Sequence, residues 1–201
     1  LLILKRFDLE NKYKIDINIK KAIPVSAGLA GGSANAAATL VALNRIFNLN
    51  LSYDELRLIG NEVGSDVPFC ISGGTALVEG KGEIISKLPD IPFYWLVLAI
   101  NGKKFSSGDV YDRFDLVGKE KVSLHKLLIE NLINKNYTNF FSGIVNDLEN
   151  VVTYEDEMEN KLKRKAIELG SFASQMTGSG PAVFAFCNDL DSARKVFFGL
   201  R

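Results

Sequence analysis

Polar and apolar residues alternate from Tyr13 to Ile23, where Ile15, Ile17 and Ile19 fall on one face of KIDINIKKAI and charged or polar residues on the other. A period of two predicts a strand, ended by Pro24. From Ser33 to Phe47 the period lengthens. Alanines and leucines spaced near four in SANAAATLVALNRIF predict a helix that begins where a loop of small residues stops. Ser52 followed by Glu55 is a capping-box spelling, and Leu56, Ile59 and Val63 then share one helical face. Gly64 stands where a left-handed cap would end that second helix.

Further along, apolar runs rich in valine, isoleucine and aromatics are broken by glycines, which predicts strands at Thr75 to Val78, Glu83 to Lys87 and Tyr94 to Ile100. The second part opens with the apolar stretch Leu124 to Ile133 and continues through NDLENVV. A charged helix is expected from Tyr154 to Leu169, stopped by Gly170, and a strand from Pro181 to Phe186. No repeat or low-complexity tract is present. The polar stretch Asp115 to Ser123 is the best boundary, giving two α+β domains over residues 1–117 and 118–201.

Composition narrows the function classes. Of 201 residues, 47% are hydrophobic, enough for real cores, and 24 basic side chains balance 24 acidic ones. A neutral balance lacks the broad basic field of a nucleic-acid binder. Apolar runs such as Ile91 to Ile100 fall short of a membrane span, so neither nucleic acid nor membrane is an expected partner. Cys70 and Cys187 show no CxxC spacing, which fits a reducing, cytoplasmic compartment. The opening LLILKRFDLEN is neither a signal nor a transit peptide and reads as the tail of something already under way.

The chemistry concentrates in P-V-S-A-G-L-A-G-G-S-A-N-A-A, beginning at Pro24. Gly28, Gly31 and Gly32 precede a helix whose first N–H groups have no intrahelical acceptor, and Ser26, Ala27 and Ala30 are equally small. Such a loop lets phosphate oxygens approach the backbone at the positive helix end; tight packing of a buried helix is the competing reading. Neither GxxxxGK[ST] nor GxGxxG is spelled here, which excludes P-loop and Rossmann nucleotide sites. In Gly64-Ser65-Asp66-Val67-Pro68 a carboxylate sits just past a helix end beside a proline, suited to positioned acid–base work or to capping a turn. Met176-Thr177-Gly178-Ser179-Gly180 is a second glycine-rich turn. His125, the only histidine, makes neither a metal site nor a triad alone.

The loop spelling resembles the ATP-binding signature of the GHMP kinases. Within that superfamily it is similar to the branch acting on 4-diphosphocytidyl-2-C-methyl-D-erythritol in the non-mevalonate isoprenoid route. The likeness recurs at GSDVPF, GGTALVEGKGE, DVYD, NDLE and MTGSGPAVF, so it spans nearly the whole chain; Ala30 departs from it, standing where glycine is usual. The resemblance implies a ribosomal protein S5 domain 2-like N-terminal domain and an α/β-sandwich C-terminal domain. It implies an enzyme that transfers a phosphoryl group from ATP, with Mg²⁺, to the 2-hydroxyl of 4-diphosphocytidyl-2-C-methyl-D-erythritol, as a monomer or homodimer. Lys21, Pro24, Ala27, Gly28, Leu29, Ala30, Gly31, Gly32, Ser33 and Asn35 would bind the nucleotide, with Ser33 reaching Mg²⁺ or a β-phosphate. Asp66 would be the catalytic aspartate at the acceptor hydroxyl, Tyr111 would stack on the cytosine, and Gly178, Ser179 and Gly180 would fold back toward the substrate. Plainer roles compete at several positions: an N-cap for Ser33, a solvated strand lysine for Lys21, core for Tyr111 and a tight hairpin for the 176–180 turn. Relatives also carry a Lys-Ile-Asn strand and a Gly-Tyr-His turn that these residues do not contain. That implies an upstream segment and no activity without it. Another GHMP kinase of homoserine or mevalonate type, or a nucleotide-binding module without catalysis, are the alternative readings.

Overall fold

The structure, a computed structural model, describes residues 2–102, 106–117, 125–153 and 157–201. Its residues form two compact units, one of Leu1–Ile23 with Ala30–Asp90, the other of Pro24–Leu29 with Ile91–Arg201. The boundary expected after residue 117 abuts residues 118–124, which lie outside the described residues.

In the first unit, α1 (Leu2–Arg6), α2 (Gly31–Ile46), α3 (Tyr53–Val63) and α4 (Val67–Ser72) precede a hairpin of β1 (Ala76–Glu79) and β2 (Ile84–Lys87). Ala37, Leu40 and Leu43 form the buried stripe of α2 and meet Leu56 and Ile59 of α3 and Val67 and Ile71 of α4, with Ile3 and Leu4 of α1 closing the cluster. Gly60 sets how closely α3 and α4 approach, because a Cβ there would lie 2.9 Å from Cγ1 of Val67. The capping box forms as expected: Ser52 Oγ accepts from Glu55 N at 3.2 Å, and Ser52 N donates to Glu55 Oε2 at 2.8 Å. Asn44 bonds both backbone groups of Leu51 at 3.0 Å and so fixes the turn between α2 and α3.

The second unit is built on an antiparallel sheet of β3 (Trp95–Ala99), β4 (Ala173–Met176) and β5 (Val183–Cys187) in the order β3-β5-β4. Helices α5 (Ser107–Val117), α6 (His125–Ile133), α7 (Tyr137–Ser142), α8 (Glu149–Thr153), α9 (Met158–Glu168) and α10 (Leu190–Gly199) complete it. The alternation in VFAFC sorts side chains by size. The small Ala185 and Cys187 face Ala166 of α9 and Ala193 and Val196 of α10, so the helices come close. On the opposite face Phe186 packs with Phe141, Phe172 and Tyr94, the Phe141 and Phe186 ring centroids 4.8 Å apart. A satellite cluster of Val110, Leu148, Val152 and Met176 ties α5 and α8 to the end of β4.

Several expectations need correction. Residues 13–22 form no strand, and Ile17 and Ile19 are 46% and 49% exposed. Alternation marks a face, but a ladder needs a neighbour to bond, and among the described residues no strand pairs with this segment. Gly64 caps α3 with extended backbone, φ 175°, instead of a left-handed turn. The helix of small residues starts two positions earlier than its periodicity predicts, the last strand starts at Val183, α1, α4 and β4 are too short to show a period, and α5 and α10 are not anticipated from the sequence.

Asp189 caps α10, its carboxylate accepting from Ser192 N at 2.7 Å, and this bond holds its pKa below the ordinary 3.8. A depressed folded-state pKa adds stability that is present above the unfolded value and is lost as pH falls through the folded one. Asp189→Ala is therefore expected to melt below the parent protein at pH 7, with the gap closing as pH falls below about 3.8 in thermal scans followed by circular dichroism.

Candidate functional site

Two glycine-rich segments far apart in sequence meet in the second unit. Thr177 Oγ1 donates to Gly28 O at 3.0 Å across 149 positions, and Ala182 N donates to Ala27 O at 3.3 Å. Gly28 has φ +71° and no room for a side chain: a Cβ would sit 2.2 Å from Thr177 O and 2.9 Å from Gly180 N. Gly178, with φ +53°, is less confined but still tight, a Cβ there lying 3.0 Å from Gly28 O. Ala27 is buried under this contact. The turn is thus no isolated hairpin, and Gly28 serves segment-to-segment packing as well as any ligand.

Helix α5 joins the same cluster. Ser107 Oγ bonds Ser179 Oγ at 2.8 Å, and Val110 packs against Met176. Tyr111, one residue on, is 55% exposed, so the core reading of this aromatic fails.

In the first unit the remaining loop residues shape the start of α2. Its N-cap is Ala30, in left-handed backbone at φ 47° and ψ 26°, and the first helical bond runs from Ala34 N to Ala30 O at 2.9 Å. The N–H groups of Gly31, Gly32 and Ser33 consequently have no intrahelical acceptor. Ser33 is the third helical residue, not the N-cap. A Cβ on Gly31 would press on Ile23 Cγ2 at 3.0 Å, whereas one on Gly32 would meet nothing within 4 Å. The backbone at Gly32 is thus uncrowded at the positive helix end, an arrangement that suits an anion. Lys21 reaches the same turn, Nζ donating to Gly31 O at 3.4 Å. Asn35 is half-buried, its carbonyl accepting from Thr39 Oγ1 at 2.8 Å. Pro24 is exposed and Leu29 half-buried.

Asp66 occupies the residue before α4, a helix that packs on both α2 and α3. Its side chain is exposed and makes no capping bond, which leaves the carboxylate available. Four residues on, the Cys70 thiol has its pKa raised first by burial and then by the Asp66 charge, which disfavours the thiolate. The β1–β2 turn braces the segment. Gly82, φ +102°, lies so close to Ser65 that a Cβ would fall 2.0 Å from Ser65 O.

Sequence reading missed Thr177, Ser107, Asn146 and Gly82 as site-building residues. The NDLE and EGKGE spellings were visible, but what their side chains touch depends on long-range contacts.

The class is defined by what this chain resembles. Models of the GHMP kinase N-terminal and C-terminal domains match residues 2–74 and 126–201. A solved homoserine kinase from Cytophaga hutchinsonii shares the fold at TM-score 0.72 and 18% identity, over 90% of this chain and 62% of its own. A solved 4-(cytidine 5'-diphospho)-2C-methyl-D-erythritol kinase aligns at TM-score 0.73 and 27% identity, over 90% of this chain and 65% of that one. The 4-diphosphocytidyl-2-C-methyl-D-erythritol kinase of Listeria monocytogenes is 43% identical over all 201 residues, which span 68% of its length. That of Caldanaerobacter subterraneus is 39% identical over 205 aligned residues, 71% of its length. The chain belongs to the 4-diphosphocytidyl-2-C-methyl-D-erythritol kinase family of GHMP kinases.

Opposite outcomes are expected at two loop positions. Ala30→Gly removes a left-handed strain of about 1–2 kcal/mol at an entropic cost near 0.5–1 kcal/mol, so Tm should rise by about 1–3 °C. Gly28→Ala forces Cβ into Thr177 O and should cost at least ~2 kcal/mol. Thermal denaturation of both variants reads the difference.

Proposed function

We propose that the protein phosphorylates the 2-hydroxyl of 4-diphosphocytidyl-2-C-methyl-D-erythritol with ATP and Mg²⁺, serving isoprenoid precursor synthesis in the cytoplasm as a monomer or homodimer. The exposed, uncapped carboxylate of Asp66, in a chain of this kinase family, is the observation that carries the reading. Bound ATP supplies the phosphoryl group and Mg²⁺ offsets charge on it. The backbone N–H groups of Gly31, Gly32 and Ser33 bind phosphate oxygens, helped by Lys21, while Pro24 to Leu29 and Asn35 shape the rest of the nucleotide loop. Ser33, the third residue of α2, would be the side chain that holds Mg²⁺ or a β-phosphate oxygen, and the metal would supply charge neutralisation there. Asp66 accepts, or at least orients, the proton of the acceptor hydroxyl. Tyr111 stacks on the cytosine, and Gly178, Ser179 and Gly180 line the acceptor side. The domain boundary expected between residues 117 and 118 lies in the gap between the two matching family models, while residues 91–117 themselves pack within the second unit. Among the described residues no helix is long and apolar enough to cross a membrane.

Substituting Asp66→Asn in the full chain keeps size and one acceptor but removes the charge that favours proton departure. It should lower kcat by about 10²- to 10⁴-fold with ADP affinity within a few fold. Retention of more than half the parent kcat would remove Asp66 from the chemistry. Gly32→Val puts a branched side chain at the helix end where a Cβ meets nothing within 4 Å, so ADP binding by calorimetry should fall by about tenfold or more while Tm stays unchanged or rises.

A further inference from the structure

Asn146 engages its whole side-chain amide. Nδ2 donates to Met176 O at 3.0 Å and to Gly178 O at 2.8 Å, and Oδ1 accepts from Leu148 N at 3.0 Å. These three partners fix the amide's orientation, since a flipped group would set its oxygen against two carbonyls. The two carbonyls it holds flank Thr177, the residue whose hydroxyl bonds Gly28 O. No slack exists on the Gly28 side, where a Cβ would lie 2.2 Å from Thr177 O. Rotation of either peptide held by Asn146 would therefore move Thr177 off Gly28 or into it. Glycines at 178 and 180, both at positive φ, leave the turn free to adopt other backbone conformations unless something pins it.

We propose that Asn146 is a positioning residue for the nucleotide: it sets the Met176 and Gly178 peptides, and through Thr177 it holds Gly28 and the first half of the phosphate loop in binding geometry. The inference rests on the reading of that loop as the ATP site. Asn146 need not touch the nucleotide. Its influence passes along one path, from amide to turn to Thr177 hydroxyl to Gly28 carbonyl, which predicts coupling between Asn146 and Thr177 in place of independent effects.

The test uses the full chain and titrates Mg²⁺-ADP by calorimetry into the parent protein, Asn146→Ala, Thr177→Val and the double variant. Circular dichroism first verifies that each is folded. Asn146→Ala should weaken ADP by about tenfold, the equivalent of ~1.4 kcal/mol. Thr177→Val should weaken it less, and the double variant should bind within about twofold of Asn146→Ala alone. Asn146→Asp supplies a second readout that a purely structural role would not move. Its carboxylate faces two carbonyl oxygens and repels them, whereas the protonated acid donates to one, so its ADP affinity relative to the parent should improve as pH falls from 8 to about 5.5. Folded Asn146→Ala binding ADP within twofold of the parent, multiplicative single-variant effects, or a pH-independent Asn146→Asp ratio would each overturn the proposal while leaving the ATP loop intact. A parent protein that binds no ADP overturns the loop assignment itself, and this inference with it.

Discussion

The packing of Gly28 against the Thr177 peptide is the contact on which the rest of the arrangement depends. Two backbone segments approach so closely that Gly28 has no room for a Cβ and Gly178 has it only at 3.0 Å from Gly28 O. Backbone groups at that distance must be paired, and they are, through the Thr177 hydroxyl and the Ala182 N–H. Glycine is chosen at 28 and 178 by this contact before any ligand enters. The same bareness leaves loop backbone accessible, which is what phosphate recognition requires. On the proposed reading of the loop as the nucleotide site, one constraint serves both packing and binding.

Around that contact the second unit is arranged to hold the turn still. Met176 is buried among Val110, Leu148 and Val152, so the turn begins from a fixed point on β4. Ser179 is tied to the start of α5, and Lys163 Nζ donates to Glu149 Oε1 at 2.5 Å, linking α8 to α9. The alternating sizes in β5 let α9 and α10 sit tightly on one face while aromatics fill the other. A stiff platform of this kind preserves the orientation of a short turn better than a loop could on its own.

The first unit solves a parallel problem at Asp66. A carboxylate proposed to meet a substrate hydroxyl must be both exposed and aimed, and exposed side chains are ordinarily free. Here the backbone is restrained in place of the side chain: Val67 and Pro68 are buried, Gly60 admits Val67, and Gly82 abuts Ser65. Ala30 shows the cost of such placement, since a residue with a Cβ is held in left-handed backbone at the head of α2. The sequence reading treated that position as needing only a small group. The structure shows that it also needs a particular sign of φ, which smallness does not supply.

What the sequence determined by itself is the part that depends on neighbours close in the chain. The period of α2, the capping box at Ser52, the β1 and β2 runs and the loop-to-helix junction all express local preferences, and all are found within a residue or two. The glycine loop and Asp66 were legible as candidate chemistry for the same reason, being compact spellings. Tertiary structure alone decided whether Tyr13 to Ile23 became a strand, because a ladder is made by the partner and not by alternation. It decided that Ser33 is not a cap, that Tyr111 is not core, and that Gly31 faces Ile23 while Gly32 faces open space. It also decided that Asn146, Thr177 and Gly28 form one chain of contacts. Residues 149 positions apart share no local pattern; only the folding of the chain brings them within a hydrogen bond.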